Sequence, residues 1–515
     1  MKPRPSHAVD PLRRHLLHAA LAGAAVVALP AFVHRAGASS TPRFALGVAS
    51  GRPQPETLVL WTRLTGDDLP ERADVRWELA EDETFTHIAA RGSETAEAAW
   101  AHSVHAEPAG LAPDRWYWYR FESLGQRSAV GRTRTAPAPD AAATLRFVIA
   151  SCQRFDNGHY AAWRDAAESA PDLVLFLGDY IYESASPPVA LRPHEGGTVR
   201  TLDGYRRRYA QYKADPLLQA AHAAAPWLVI WDDHEVDNDY AGFVGQRLQP
   251  DFAAQRAAAY QAWWEHMPVP KSVRPLGPDA DIVFRLDWGR LARLHGVDGR
   301  QFRDPQACPR PRRSGGRTLR SADCAALEDP RRSLLGAAQE RWLAEGWDLA
   351  RPWNLLAQTT LMARFSAAEP TQVSATVRTD GWDGYAPARR RLLEGIAERR
   401  LPGAVVLGGD VHMHAVAHLK TDFDDPRGAI VASEFCCTSI SSRGASQLLI
   451  DAVRWQNPHV LLADATQRGT VRFTLDAQAL RAELRAVDDP ADPASAVRTL
   501  ARYAVEAGRP GPVAA

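Results

Sequence analysis

At about 150 residues per domain, a chain of 515 residues holds roughly two to four domains. Its charged share of 24% and hydrophobic share of 45% exclude a disordered polymer. Basic and acidic residues balance at 61 each, so no global field draws the chain to nucleic acid or an anionic membrane. No specific nucleic-acid reader is expected, and any affinity for phosphate must be local.

Residues 1–38 read as an address. A basic start is followed by an apolar run from Leu16 to Val33 and by small residues at Ala36-Gly37-Ala38, the layout of an export signal cleaved after Ala38. Pro30 and His34 interrupt the run, which is too short to span a bilayer. A retained N-terminal anchor is the alternative. Arg13-Arg14 directly before the run resemble a twin-arginine signal, although Leu12 and His15-Leu16-Leu17 depart from its usual flanks. That resemblance implies the twin-arginine export machinery as a partner and a periplasmic or secreted product. No later segment is long and apolar enough to span a membrane, and a monomer is expected.

From 42 to 135 the pattern is of short strands, at 44–50, 57–64, 73–79 and 115–123, without a helical period. A small antiparallel β-sandwich domain is expected there. The Pro/Ala-rich stretch 136–144 reads as a linker. From 145 to 490 compact apolar strands alternate with helical segments, the latter at 203–213, 216–225, 251–267 and 387–399. Strands that are apolar throughout are covered on both faces, which predicts an α/β layer structure. Residues 491–515 read as a C-terminal tail, whose end GRPGPVAA is expected to be disordered.

Trp77, Trp116, Trp227 and Trp231 lie in apolar strand contexts and are expected in the core. Arginine runs at 206–208 and 389–391 read as solvated helix faces. Of five cysteines, Cys308 and Cys324 bracket a Pro/Arg/Gly-rich loop and are a candidate disulfide in an oxidising compartment. Cys436 and Cys437 read as small buried residues.

The chemistry gathers at strand ends. Four apolar strands terminate in Cys152, in Asp179 with Tyr182, in Asp233 with His234, and in Asp410 with His412. In open α/β sheets the carboxyl ends of strands are where ligand sites form. Converging carboxylates, imidazole, phenolate and thiolate repel one another unless cations lie between them, so more than one metal ion is expected. His414 and His418 alternate with apolar residues and read as structural. There is no G-x-S-x-G, hence no sign of a covalent serine nucleophile.

These motifs, ASCQ at 150–153, LGDYIYE at 177–183, WDDHEVDN at 231–238 and GGDVH at 408–412, resemble the PhoD-type alkaline phosphatases and phosphodiesterases. GVASG at 47–51, DGWDGY at 380–385 and EFCCTSISS at 434–442 extend the resemblance in the same order. Arg52 after GVASG and Gly299 within 298–303 depart from the family pattern. The resemblance implies a four-layer metallophosphoesterase core, two facing sheets flanked by helices, behind the small β domain. It also implies a ferric ion with calcium: Cys152, Asp179, Tyr182 and His412 on the iron, Asp179 bridging, and Asp233 and Asp410 on calcium.

The donor types agree with that analogy. Ferric iron favours anionic donors, and calcium takes oxygen ligands in irregular, higher coordination. Two such ions polarise a phosphoryl group and supply a hydroxide for in-line attack on phosphorus. His234 is placed to protonate the leaving alkoxide or to bind phosphate. Asn157 and Asn238 are either outer ligands or loop caps, and Arg300 is either an outer-shell or a phosphate-binding residue. The expected function is hydrolysis of phosphate monoesters and diesters. The alternatives are a narrower phospholipid or teichoic-acid phosphodiesterase, and a non-catalytic secreted binding protein.

Overall fold

The computed structural model describes residues 41–368 and 375–515. The signal segment, with Arg13 and Arg14, lies outside them. Among the described residues no helix is long and apolar enough to cross a membrane.

Two large sheets organise residues 42–515. At the centre of the ten-stranded sheet, Leu145–Ala150, Leu173–Leu177 and Trp227–Ile230 run parallel and in register, with Val174 opposite Val148 on one side and Trp227 on the other. The second sheet has seven strands, with Trp353–Ala357, Ala404–Gly408 and Ile430–Cys436 parallel in its middle. Period-two alternation decides which way each side chain points. Leu355, Ala357, Val405 and Leu407 enter the core shared with the first sheet, whereas Leu356 and Val406 join a second cluster. That second cluster is closed by Leu343, Leu393 and Ile396, from the helices Ala337–Gly346 and Ala386–Glu398. The two sheets meet where Phe435 of one packs edge-on against Phe473 of the other, ring centroids 5.3 Å apart. The mixed α/β core is therefore two facing sheets with helical cover.

The helices begin where the sequence supplies caps. Asp215 accepts hydrogen bonds from the Leu217 and Leu218 amides at 2.9 and 3.3 Å, and Pro216 opens the helix Pro216–Ala224. Thr201 caps Leu202–Lys213 through the Gly204 amide.

Two expectations are corrected. Residues 491–515 are not a loose tail: Val497–Glu506 and Arg509–Ala514 extend the ten-stranded sheet, and Tyr503 and Val505 enter the core. The closing Gly and Pro residues mark an edge strand after the turn at Gly508 (φ 76°), where backbone pairing is not demanded on both sides. The expected N-terminal β layers are present: Arg72–Ala80, Ile88–Glu97, Trp116–Ser123, Gln126–Arg127 and Gly131–Arg134 form a five-stranded sheet that shares one core cluster with Val48–Gly51, Val59–Arg63 and Ser103–Ala106, and these last three strands also extend the ten-stranded sheet. The stretch 136–144 is correspondingly fixed at its start, with Ala136 fully buried. The second correction is Arg208, which is buried because carbonyls of Tyr182, Ser184 and Gly197 accept its guanidinium hydrogens.

Cys308 and Cys324 are joined as a disulfide, with Cα atoms 6.1 Å apart, while Cys152, Cys436 and Cys437 are free and buried. Trp77, Trp227 and Trp231 lie in the core as expected, and Trp116 is half-buried beneath Arg132, whose guanidinium stands 3.5 Å from its ring.

Candidate metal centre

Each candidate ligand follows the last residue of a parallel strand, and the chain turns sharply there. Cys152, Asp179, Asp410 and His412 all have positive φ, between 53° and 62°, a left-handed conformation that costs energy for residues with a Cβ. The turn at Asp179 needs Gly178 before it (φ 100°), since a Cβ at that position would lie 2.6 Å from that of Asp232. Glu235 ties two of these loops together. Its carboxylate accepts the amides of Asp179 at 3.0 Å, Tyr180 at 2.6 Å and Asp232 at 2.9 Å.

The ligating atoms of Cys152, Asp179 and His412 lie within 4.8 Å of one another, and so do those of Asp179, Asp232 and Asp233. Asp179 is common to both groups. The Tyr182 hydroxyl joins the first, donating to Asp179 Oδ2 at 2.8 Å and lying 3.3 Å from His412 Nε2. His412 Nδ1 donates to the Arg443 carbonyl at 2.8 Å, which leaves Nε2 unprotonated and facing the cluster. Burial lowers His412 to about 4, so its imidazole is neutral at ordinary pH. Ser442 Oγ stands 2.8 Å from both the Cys152 carbonyl and the Tyr182 hydroxyl.

The acids of the centre are frustrated. Burial, and then the neighbouring acids against the opposing pull of His234, push Asp179 well above the usual carboxylate range. Burial likewise raises Asp232 and Asp410, with Asp233 adding to it. Burial, Asp179 and Asp410 raise the Cys152 thiol, and burial with Asp179 and Cys152 raises the Tyr182 phenol. Asp179 Oδ1 and Asp232 Oδ2 are buried with no hydrogen-bond donor. Buried oxygens without donors are rare in native folds, and a cation is the partner that satisfies both the lone pairs and the charge. The donor set fits metal ions.

A cation already present stands behind the second group. Arg300 is buried and pairs with Asp232 through Nε, with Asp380 through Nη1 and Nη2 at 3.0 and 2.9 Å, and with Asp233 at 3.3 Å. It is thus an outer residue that holds acids in place, with its donors spent on carboxylates rather than free for phosphate. Burial works against ionised Asp233, but Arg300 and His234 outweigh it and hold its carboxyl below the usual range.

The remaining expected residues fall as follows. Asp410 belongs to neither compact group; its Oδ2 accepts from the Thr360 hydroxyl at 2.8 Å. His234 Nδ1 donates to Glu183 at 2.8 Å, and its ring packs 4.1 Å from that of Tyr182. Burial disfavours its charge, yet Glu183, Asp179 and Asp233 outweigh burial and raise it well above imidazole's usual value. The Asn157 carboxamide accepts the Arg443 amide, and Asn238 donates its backbone amide to Glu183, so both brace loops. His414 and His418 bond to the carbonyls of Arg485 and Pro512. Asp232, Glu183, Glu235 and Asp380 escaped the sequence reading. The doubled Asp232-Asp233 was the one local signal available.

With this geometry in view, a family model described as the PhoD-like phosphatase matches residues 147–484, and its N-terminal domain model matches 30–137. The chain belongs to the PhoD-like phosphatase family. It is a phosphoesterase. Over 491 residues it is 39% identical to alkaline phosphatase D of Bacillus subtilis (strain 168), covering 92% of this chain and 82% of that protein. The solved structure of PhoD superposes with a TM-score of 0.87 at 38% identity over 92% of both chains. A purple acid phosphatase from yellow lupin seeds shares the fold alone, at a TM-score of 0.56, 12% identity and coverage of 89% of this chain and 74% of that one. The acid-rich centre described above lies within the residues that the PhoD-like phosphatase model matches.

Proposed function

We propose that this phosphoesterase is exported, binds one ferric ion and calcium, and hydrolyses both monoesters and diesters of phosphate. Asp179 carries the reading, because it alone is shared by the two groups of potential ligands. Cys152, Asp179, Tyr182 and His412 would hold the iron; Asp179, Asp233 and Asp410, with Asp232 alongside, would hold calcium. Bound there, the ions supply positive charge to a phosphoryl group and acidity to a water.

The chain's own residues do the rest. The Arg443 carbonyl and Ser442 fix His412 and Tyr182. Arg300 and Thr360 aim the acids of the second group. Glu183 fixes the His234 ring through Nδ1, leaving Nε2 to hand a proton to the departing alkoxide. His234→Gln should therefore cost about 10²–10⁴-fold in kcat on an alkyl phosphodiester, and much less on a nitrophenyl ester, whose leaving group needs no proton. Equal losses on both substrates would remove His234 from the role of acid.

Export would follow the twin-arginine route and yield a periplasmic or secreted monomer. Folding before export shelters a thiolate centre from oxidants during assembly. Changing Arg13 and Arg14 together to Lys keeps the charge and should leave unprocessed protein in the cytoplasm. Normal export of that variant, measured by fractionation, would refute the route.

A further inference from the structure

Arg300, the cation behind the second ligand group, has its donors spent on carboxylates. A second arginine stands on the open side of the same acids. Arg378 closes the strand Ala375–Arg378, two residues before Asp380. Its side chain is 64% exposed, against 1% for that of Arg300. Among the described residues its guanidinium has one loose ion-pair partner, Asp239 Oδ1, 3.8 Å from Nη2. Most of its five N–H donors are unspent.

Asp239 ties this arginine to the centre. Its backbone amide donates to Asp233 Oδ2 at 2.6 Å, and its own Oδ2 accepts the Gly316 amide at 3.0 Å. The carboxylates that pull on the Arg378 charge are those of Asp380, Asp239, Asp410 and Asp233. They lie on the loops that follow three different strands, Trp227–Ile230, Ala375–Arg378 and Ala404–Gly408. An exposed arginine in a loose pair adds little to stability, so folding does not account for this placement. Cations held by the second group would take up the charge of Asp233 and Asp410. The partner then left for Arg378 is an anion brought to the centre, and a guanidinium fork matches two oxygens of a phosphoryl group.

We infer that Arg378 is a specificity-determining residue, which takes the anionic oxygen that a phosphate monoester carries and a diester has esterified. The inference rests on the proposed activity toward both ester classes and says what separates them. A hydrogen bond from a guanidinium to a charged oxygen is worth more than one to a neutral ester oxygen. Arg378 therefore favours the monoester dianion over the diester monoanion.

The test compares 4-nitrophenyl phosphate with bis(4-nitrophenyl) phosphate on the full mature chain. In Arg378→Ala the ratio of kcat/KM for monoester over diester should fall about tenfold or more, chiefly through KM. Free guanidinium should restore part of the monoester rate, a rescue that a merely structural residue would not show. Affinity for inorganic phosphate, read by calorimetry, should fall by a similar factor while metal content stays at the wild-type level. Arg378→Lys keeps the charge without the fork and should lie between the two. Arg341→Ala removes an exposed arginine from the helix Ala337–Gly346; it controls for net charge and should leave the ratio unchanged. Equal losses on both esters in Arg378→Ala, or an unchanged phosphate affinity, would overturn the inference. Wild type that cleaves diesters alone would fail the broader substrate reading instead, and the phosphate affinities of the same two proteins would still decide for or against Arg378.

Discussion

Asp179→Asn should lower phosphoester hydrolysis on the order of 10³-fold or more and release both metal ions together. The reason is its place in two ligand groups, one with Cys152 and His412 and one with Asp232 and Asp233. Asparagine keeps the shape and can still accept from Tyr182. It also tolerates the left-handed backbone at this position, where φ is 61°. The fold should survive, and elemental analysis of the folded variant isolates the loss of charge. A second substitution gives the contrast: Asp233→Asn touches one group and should release one ion. An Asp179→Asn variant with its full metal content would show that the bridging role belongs elsewhere.

Arg300→Leu should cost about 3–5 kcal/mol of stability, since it strands buried carboxylates without their cation. Asp232, Asp233 and Asp380 all face this one guanidinium. Arg300→Lys restores the charge without the two-pronged geometry and should recover only part of the loss. The pH dependence carries a definite sign. Burial opposes the ionised form of Asp380, but Arg300 and Arg303 outweigh it and hold the carboxyl well below the usual range. Such a group stabilises the fold above the unfolded carboxylate value of about 4, and that contribution fades as pH falls towards the folded value. The stability gap between wild type and Arg300→Leu should therefore narrow below about pH 4. A gap that is absent at neutral pH in melting curves would mean that these acids are neutralised by something other than Arg300.

The strands and their terminal ligands were legible because both signals are local. An apolar run such as LVLFL declares a buried strand, and the acid after it declares a turn at the sheet's carboxyl end. What could not be read was pairing across long stretches of chain. Arg300 meets Asp380 eighty residues away, and Met362 and Ala363 donate their amides to Glu434, more than seventy residues on. Arg208 looked solvated because arginine usually is; only the fold brings it the carbonyls of Tyr182 and Gly197. The last strand was hidden by its Gly and Pro residues, which an edge position tolerates. Likewise, the parallel pairing of Gly51 with Trp227, which draws the N-terminal strands into the main sheet, leaves no trace in either segment alone.

The central claim is that Cys152, Asp179, Tyr182 and His412 together hold an ion. Iron and calcium stoichiometry, measured beside the visible absorption of folded wild type and Tyr182→Phe, tests it most directly. Phenylalanine keeps the ring against His234 but removes the oxygen 2.8 Å from Asp179. Wild type should contain iron and calcium and show a phenolate-to-iron charge-transfer band. In Tyr182→Phe that band should vanish and iron occupancy should fall. Full iron occupancy with an unchanged spectrum would contradict the assignment and return Tyr182 to the core.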